Sequence, residues 1–358
     1  MFKFKPTFLP LLISAAFGAI ITYIILFFLP KNTPDNIVYG AVKNDYANSA
    51  NTNCPTNATR IISAYKHISP LLFSDPACES PELDNIKQTV SAIIDSYKAT
   101  GKLTSASFYL RVFSKNEQTS YNVDEKYHPA SLSKVPILIT YMRMIEDGPN
   151  LMNEKYFYSK PQAAEHQQHY LSKTLKQGNS YTVKELLHYM IAYSDNEATT
   201  LLWSKMNFDQ YNKTFTDLGL SKPSFNFDEQ QLSCKEYAAF FKVLYNSSYL
   251  SRQSSEFCLS LLTQSDFRQG ILKSLPADLV AAHKFGECYY GIVRKPGEEP
   301  FTHISELHEA GIIYTDSLHY LISIMSKGPD IERLSDMISD ISYNVYGVLR
   351  QQRLSTNK

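Results

Sequence analysis

The chain of 358 residues is 44% hydrophobic and 20% charged, with 35 basic side chains against 35 acidic ones. Such a composition can bury a core and excludes a disordered polyelectrolyte. A net charge of zero supplies no global field toward nucleic acid, so no nucleic-acid partner is expected.

Lys3 and Lys5 precede a run from Thr7 to Leu29 that holds no charged residue. About 20 apolar residues span a bilayer as a helix, and basic residues on the short side keep that side in the cytoplasm. The pattern predicts a cytoplasmic tail over 1–6, a transmembrane signal anchor over 7–29 that binds the lipid bilayer, and an extracytoplasmic remainder. The run exceeds a signal-peptide core of about 7–15 residues and no small-x-small cleavage site follows it, which favours an uncleaved anchor over a removed leader. Residues 30–80, rich in Asn, Thr, Ala and Pro at first, read as a linker ending in a small appendage. Outside the cytoplasm disulfides persist. Cys54 with Cys78 and Cys234 with Cys258 are candidate pairs, and Cys288 is left over; buried free thiols fit the sequence equally well.

The main domain is expected over 81–358. Leu83–Tyr97 carries Ile86, Val90, Ile93 and Ile94 at helical spacing, with Gly101 beyond its end. Ser105–Ser114 alternates like a strand, and Tyr121–Tyr127 reads as the returning arm of a hairpin. Leu132 to Asp147 forms an apolar helix. Pro136 sits early in it, which places the helix start near Ser131, because proline is tolerated only in or beside a first turn. Residues 150–265 read as mostly helices. Strand-like runs follow at Leu279–Phe285, Tyr289–Arg294, Gly311–Tyr314 and Tyr320–Ser326, and Ile331–Leu349 closes the chain as a helix. The order implies an α/β (α+β) fold: an antiparallel sheet of about five strands flanked by helices, with an all-helical lobe inserted.

Three short motifs carry chemistry. In Ser131-Leu132-Ser133-Lys134, residues three apart on a helix share a face, so the hydroxyl and the amine can meet. A serine becomes a nucleophile when a base takes its proton, and a lysine is that base once its pKa falls. Ser63 and Lys66 repeat the spacing and read as an exposed turn. Ser194-Asp195-Asn196 follows a helical stretch: Ser194 is placed to relay a proton, Asn196 to bond a substrate amide, and Asp195 to set the turn, while all three residue types also cap helices. Lys284-Phe285-Gly286 ends a strand-like run, unlike Lys176-Gln177-Gly178 and Lys295-Pro296-Gly297.

Taken together, SLSK, SDN and KFG in this order resemble the S-x-x-K, S-D-N and K-T-G set of class A β-lactamases and penicillin-binding proteins, the penicillin-recognising serine hydrolases. YHPASLSKVPIL, YTVKELLHYMIAYSDNEA and LHEAGIIYTDSLHYLISIMS carry the likeness over roughly residues 83–350. The resemblance implies acylation of Ser131 by a β-lactam or a cell-wall peptide amide. It implies Lys134 as general base, Ser194 as proton shuttle, and an oxyanion hole from the backbone N–H groups of Ser131 and Glu287. Asn196, Lys284, Phe285 and Gly286 would then meet the substrate, with Lys284 also depressing the pKa of Lys134. No cofactor is implied, and His303 and His308 beside Glu306 and Glu309 do not define a metal set.

Two departures bear on outcome. Phe285 stands where the pattern has a hydroxyl, which forfeits one charge-assisted hydrogen bond, about 1.5–3 kcal/mol. The segment SKPSFNFDEQQ is too short for the long loop that carries the water-activating glutamate of class A enzymes. It offers only Asp228 and Glu229, which read as a solvated turn. Slow deacylation, as in a D,D-peptidase or transpeptidase, and a catalytically silent wall-peptide-binding domain are therefore the alternatives.

Overall fold

The computed structural model describes residues 58–60, 65–74, 79–161, 168–170, 172–225, 229–292, 302–316 and 318–356. The expected tail and anchor over 1–29, and Cys54 and Cys78, lie outside them. No helix among the described residues is long and apolar enough to cross a membrane.

Strands β1 (Ala58–Arg60) and β2 (Leu71–Ser74) pair antiparallel. They belong to the expected appendage, and residues 66–68 between them dock on the domain. The Glu256 carboxylate accepts from the backbone N–H groups of Lys66, His67 and Ile68, and Ile68 enters the core.

Helix α1 (Asp84–Ala99) leads into β3 (Ser105–Val112) and β4 (Glu117–Tyr121). The returning arm lies earlier than the expected Tyr121–Tyr127. Asn116 (φ 55) reverses the chain and Asn122 (φ 49) ends the strand, since asparagine tolerates the left-handed region. Residues 122–127 leave the sheet, and Tyr127 instead bridges to Leu232.

A 3₁₀ turn, Ala130–Ser133, runs into α2 (Lys134–Asp147). The next block is not wholly helical: β5 (Lys155–Phe157) and β6 (Ser180–Thr182) form a small hairpin. Then come α3 (Val183–Ala192), α4 (Asn196–Trp203), α5 (Phe208–Asp217), α6 (Cys234–Asn246) and α7 (Arg252–Leu262). Thr182 with Glu185 and Ser233 with Glu236 make capping boxes that satisfy the first N–H groups of α3 and α6.

Three long strands and a helix finish the domain: β7 (Val280–Ile292), β8 (Thr302–Tyr314), β9 (His319–Gly328) and α8 (Ile331–Thr356). The two runs expected at Leu279–Phe285 and Tyr289–Arg294 are one continuous strand up to Ile292. Strand β8 begins well before the expected Gly311. Its first half is charged, and burial there is sustained by pairing: His308 meets Glu306 at 3.1 Å, and Glu309 meets His283 across the strands at 2.7 Å.

The main sheet is antiparallel with order β4-β3-β9-β8-β7. Side chains alternate between two cores, as the period of two requires. Ala106, Phe108, Leu110 and Val112 join Ile322 and Ile324 beneath α1 and α8. Tyr109, Phe113, Leu321 and Met325 face the helical lobe around α2, α3 and α6. This is the expected α+β arrangement. Cys234 and Cys258 are buried free thiols in the lobe core, not the suggested disulfide, and Cys288 is also free.

Candidate active site

The start of α2 lies against the outer edge of the sheet. Strand β7 is the terminal strand, and Gly286 on it is the point of closest approach. A Cβ there would stand 2.9 Å from Leu132 N and Pro129 O and 3.1 Å from Ser131 N. Only glycine lets the strand backbone come this near to the turn that presents Ser131. The turn is itself wound tightly: Ala130 has φ 47, and Leu132 N donates to Pro129 O at 2.9 Å.

Lys134, 2% exposed, points back toward Ser131. Its Nζ lies 2.9 Å from Ser131 Oγ and 3.1 Å from Ser194 Oγ, and it donates to Ser194 O at 2.5 Å and to Asn196 Oδ1 at 2.8 Å. A neutral amine has two N–H groups and one lone pair. The carbonyl and carboxamide oxygens can only accept, so they occupy both N–H groups, and the lone pair is left for a serine hydroxyl. Burial supplies the neutral form: it pulls the Lys134 pKa down to about 7, against the opposing pull of the Asp195 and Glu287 carboxylates.

Ser194 is held for this task by strain. Its φ of 53 is left-handed without glycine, a conformation costing about 1–3 kcal/mol that persists where its surroundings impose it. Asp195 anchors the turn: its Oδ1 caps α4 at Ala198 N, 2.5 Å, and its Oδ2 accepts from Leu175 N, 3.1 Å. The three residues of SDN thus divide between proton path, turn and Lys134.

Lys284 reaches the same serine from the sheet. It is fully buried, stands 2.9 Å from Ser194 Oγ and donates to Phe285 O at 2.8 Å. Burial, and then the charge of Lys134, hold its pKa well below the ordinary lysine range. The charge of Lys134 disfavours protonation of Lys284. At Lys134 burial alone lowers the pKa, and the expected depression by Lys284 is not among its causes.

Phe285 lies beside the Lys284 amine, whose Nζ stands 4.3 Å from the ring centroid. Its ring, 4% exposed, stacks on Phe267 at 3.9 Å in the core under α8, with Tyr170 edge-on. Alternation along β7 sends Lys284 to the lobe and Phe285 to the opposite core. The half-buried Glu287 side chain accepts from His169 N and Tyr170 N at 3.1 Å. Asp228 lies outside the described residues. Glu229 is exposed and accepts from Ser224 Oγ at 3.1 Å, which fits the expected turn.

His308 carries a role the sequence did not show. Its Nδ1 accepts from Ser326 N at 3.1 Å, so its Nε2 carries the proton and donates to His128 O at 2.9 Å. This buried imidazole ties β8 to the loop leading into Ser131. The only advance signal was its place at the entry to the strand expected from Gly311. Among the described residues no cluster could hold a metal ion.

The model of the beta-lactamase enzyme family matches residues 85–349. No curated protein sequence matches the chain. Among solved structures, PBP-A superposes with a TM-score of 0.61 at 21% identity, over 76% of this chain and 98% of that one. A class A β-lactamase from Mycobacterium abscessus gives 0.61 at 15% identity, over 74% and 99%. A β-lactamase from Sphaerobacter thermophilus gives 0.57 at 20%, over 72% and 95%. At such identities the superpositions establish the fold.

Proposed function

The chain belongs to the beta-lactamase enzyme family, and from that premise we propose a serine hydrolase that forms an acyl-enzyme at Ser131 with a β-lactam or a cell-wall peptide amide. The observation that carries this is the 2.9 Å contact between Ser131 Oγ and the Nζ of a lysine whose pKa is about 7.

In this reading neutral Lys134 takes the Ser131 proton as Oγ attacks the carbonyl carbon. The negative oxygen is received by the N–H groups of Ser131 and Glu287, donors of a kind worth about 3 kcal/mol each. The proton passes through Ser194 Oγ, which touches both lysines, to the leaving nitrogen. The C–N bond breaks and an ester on Ser131 remains. The Asn196 Oδ1 sits on Lys134, so its NH₂ is the part available to a substrate amide oxygen. A PBP-A mutant has been captured as an acyl-enzyme with penicillin G, the same type of adduct.

Slow deacylation is the second reading, and Glu229 favours it. This acid is the only one described in the 221–232 segment, and it is exposed and engaged with Ser224. Anchoring by residues 7–29 completes the proposal and would hold the domain outside the cell membrane, where cell-wall peptide is found.

The test is incubation of the full-length chain with a fluorescent penicillin, followed by a denaturing gel. A stable adduct that disappears in Ser131→Ala supports slow deacylation, and rapid nitrocefin turnover without an adduct supports a lactamase. Labelling that survives in Ser131→Ala would refute the nucleophile.

A further inference from the structure

Residues 168–170 and 172–176 belong to no helix or strand, yet they are tied to both layers that meet at Ser194 and Lys284. On the sheet side, His169 N and Tyr170 N donate to the Glu287 carboxylate at 3.1 Å. The Tyr170 ring stands edge-on to Phe267 at 4.9 Å and to Phe285 at 6.1 Å. The ring that replaces the K-T-G hydroxyl is therefore part of a seat for Tyr170. His169 Nε2 extends the tie to Glu332 on α8, 2.6 Å away.

On the lobe side, the same segment takes hold of both neighbours of Ser194. Leu175 N donates to Asp195 Oδ2 at 3.1 Å, and Lys173 Nζ stands 5.0 Å from the Tyr193 ring centroid. Between the two layers, Ser172 Oγ donates to the Asp266 carboxylate. Asp266 N in turn donates to Ala192 O at 3.0 Å, while its neighbour Phe267 stacks on Phe285. Ser172 thus rests on a segment that itself runs from lobe to sheet.

Local packing does not explain this course. Ser172, Lys173 and Thr174 are exposed and polar, so apolar burial does not hold them. Ordering such a stretch costs backbone entropy. What offsets that cost is a set of N–H to carboxylate bonds, stronger than neutral ones, together with the seated ring.

The consequence is positional. The Glu287 N–H, assigned above to the oxyanion, comes from the sheet. Ser194 Oγ, assigned to the proton path, comes from the lobe. A segment fastened to residue 287 on one side and to residues 193 and 195 on the other fixes the spacing between these two groups.

We propose that this segment is a brace and that Tyr170 is a positioning residue for acylation. With its ring seated on Phe285 and Phe267, the brace holds the oxyanion donor at Glu287 in register with the Ser194 turn. The proposal rests on the acyl-serine reading above and adds to it a residue that touches no reacting atom.

The experiment uses the full-length chain, with labelling of Ser131 by a fluorescent penicillin followed against penicillin concentration. Tyr170→Ala should lower the maximal acylation rate about 10²-fold, the loss expected when reacting groups are misplaced by about 1 Å. The half-saturating concentration should stay within about threefold, because the misplaced contacts act in the transition state. Tyr170→Phe keeps the ring in its seat and should label within about twofold of the parent. An alanine variant that labels within about twofold of the parent overturns the proposal, as does a loss carried by half-saturation alone. So does a phenylalanine variant as slow as the alanine one. Hydrogen exchange on the unmodified chain covers a variant that misfolds. The N–H groups of His169, Tyr170 and Leu175 lie outside helix and strand, and the Glu287 and Asp195 carboxylates are their acceptors. All three should exchange at least about tenfold more slowly than an unstructured chain. Unprotected exchange at either end of the brace overturns it. If the parent is not labelled at all, the acyl-serine reading fails separately, and the exchange result alone decides whether the brace exists.

Discussion

The depressed pKa of Lys134 ties activity and stability to one titration. With a pKa of about 7, the amine is neutral for roughly one-tenth of molecules at pH 6, half at pH 7 and nine-tenths at pH 8. If the neutral form is the base, Ser131 acylation rises about ninefold from pH 6 to pH 8 and then levels. Stability follows with a definite sign. An unfolded lysine titrates near 10.4, so between pH 7 and that value the unfolded chain binds more protons than the folded one, and folding stability climbs with pH. The slope approaches about 1.4 kcal/mol per pH unit, or roughly 2 kcal/mol between pH 7 and pH 9 once its curvature near 7 is included. Lys134→Met should lower acylation by about 10²–10⁴-fold and remove this contribution. Lys284 adds a slope of the same sign in both proteins, so the quantity to compare is the difference between them. Urea denaturation at pH 7 and pH 9, with stopped-flow acylation across pH 5.5–9, measures both effects. A flat rate profile from pH 6 to pH 8, or identical stability slopes in the two proteins, would refute the assignment of Lys134 as a desolvated base.

Two further substitutions probe the frame. Gly286→Ala places a methyl group 2.9 Å from the backbone of Pro129 and Leu132, which forces strand and turn apart; displacement of up to about 1 Å should lower acylation about 10²-fold, and an unaltered rate would show that β7 does not set the position of Ser131. Phe285→Thr restores the hydroxyl of the K-T-G pattern but empties the stack on Phe267, so thermal or urea unfolding should report a loss of about 3 kcal/mol, whereas a stability within about 0.5 kcal/mol of the parent would contradict the packing described for that ring.

What could be read in the sequence depended on whether short-range rules governed the residue. The nucleophile helix was legible because Pro136 restricts where a helix can start and because the i, i+3 spacing puts Ser131 and Lys134 on one face. Alternation exposed β3 and β9 for the same reason. The first half of β8 was hidden: Glu306, His308 and Glu309 look like a loop until partners from β7 and the His128 loop cancel their polarity. The hairpin arm was misplaced because two asparagines in the left-handed region set its limits, and asparagine enters that region only where tertiary contacts hold it. The strain at Ser194 and the inward turn of Phe285 were equally invisible, since each is decided by elements far away in the chain. Cys234 and Cys258 are buried free thiols, one of the two alternatives left open by the sequence, because spacing along a chain does not decide whether two cysteines meet in bonding geometry.

The seam between sheet and lobe is held by the same atoms that would do the chemistry. Lys134 comes from the lobe and Lys284 from the sheet, and Ser194 Oγ is the one atom both touch. Neither amine is solvated, and of their contacts the one between Lys284 Nζ and Ser194 Oγ crosses the seam, so losing it while the amine stays buried costs about 1–3 kcal/mol. Two residues with positive φ, Ala130 and Ser194, both sit on the lobe side of this seam, each adding about 1–3 kcal/mol of backbone strain. Strain and desolvation together oppose folding, and the two apolar cores offset them by packing on both faces of one sheet. The cores fix the sheet against α2, and Gly286 lets that approach be close enough for Ser131 to lie between a strand edge and a neutral amine. A substitution that relaxes either core by a few tenths of an ångström therefore acts first on the Lys134–Ser194–Lys284 contacts, and should lower acylation before it lowers stability measurably.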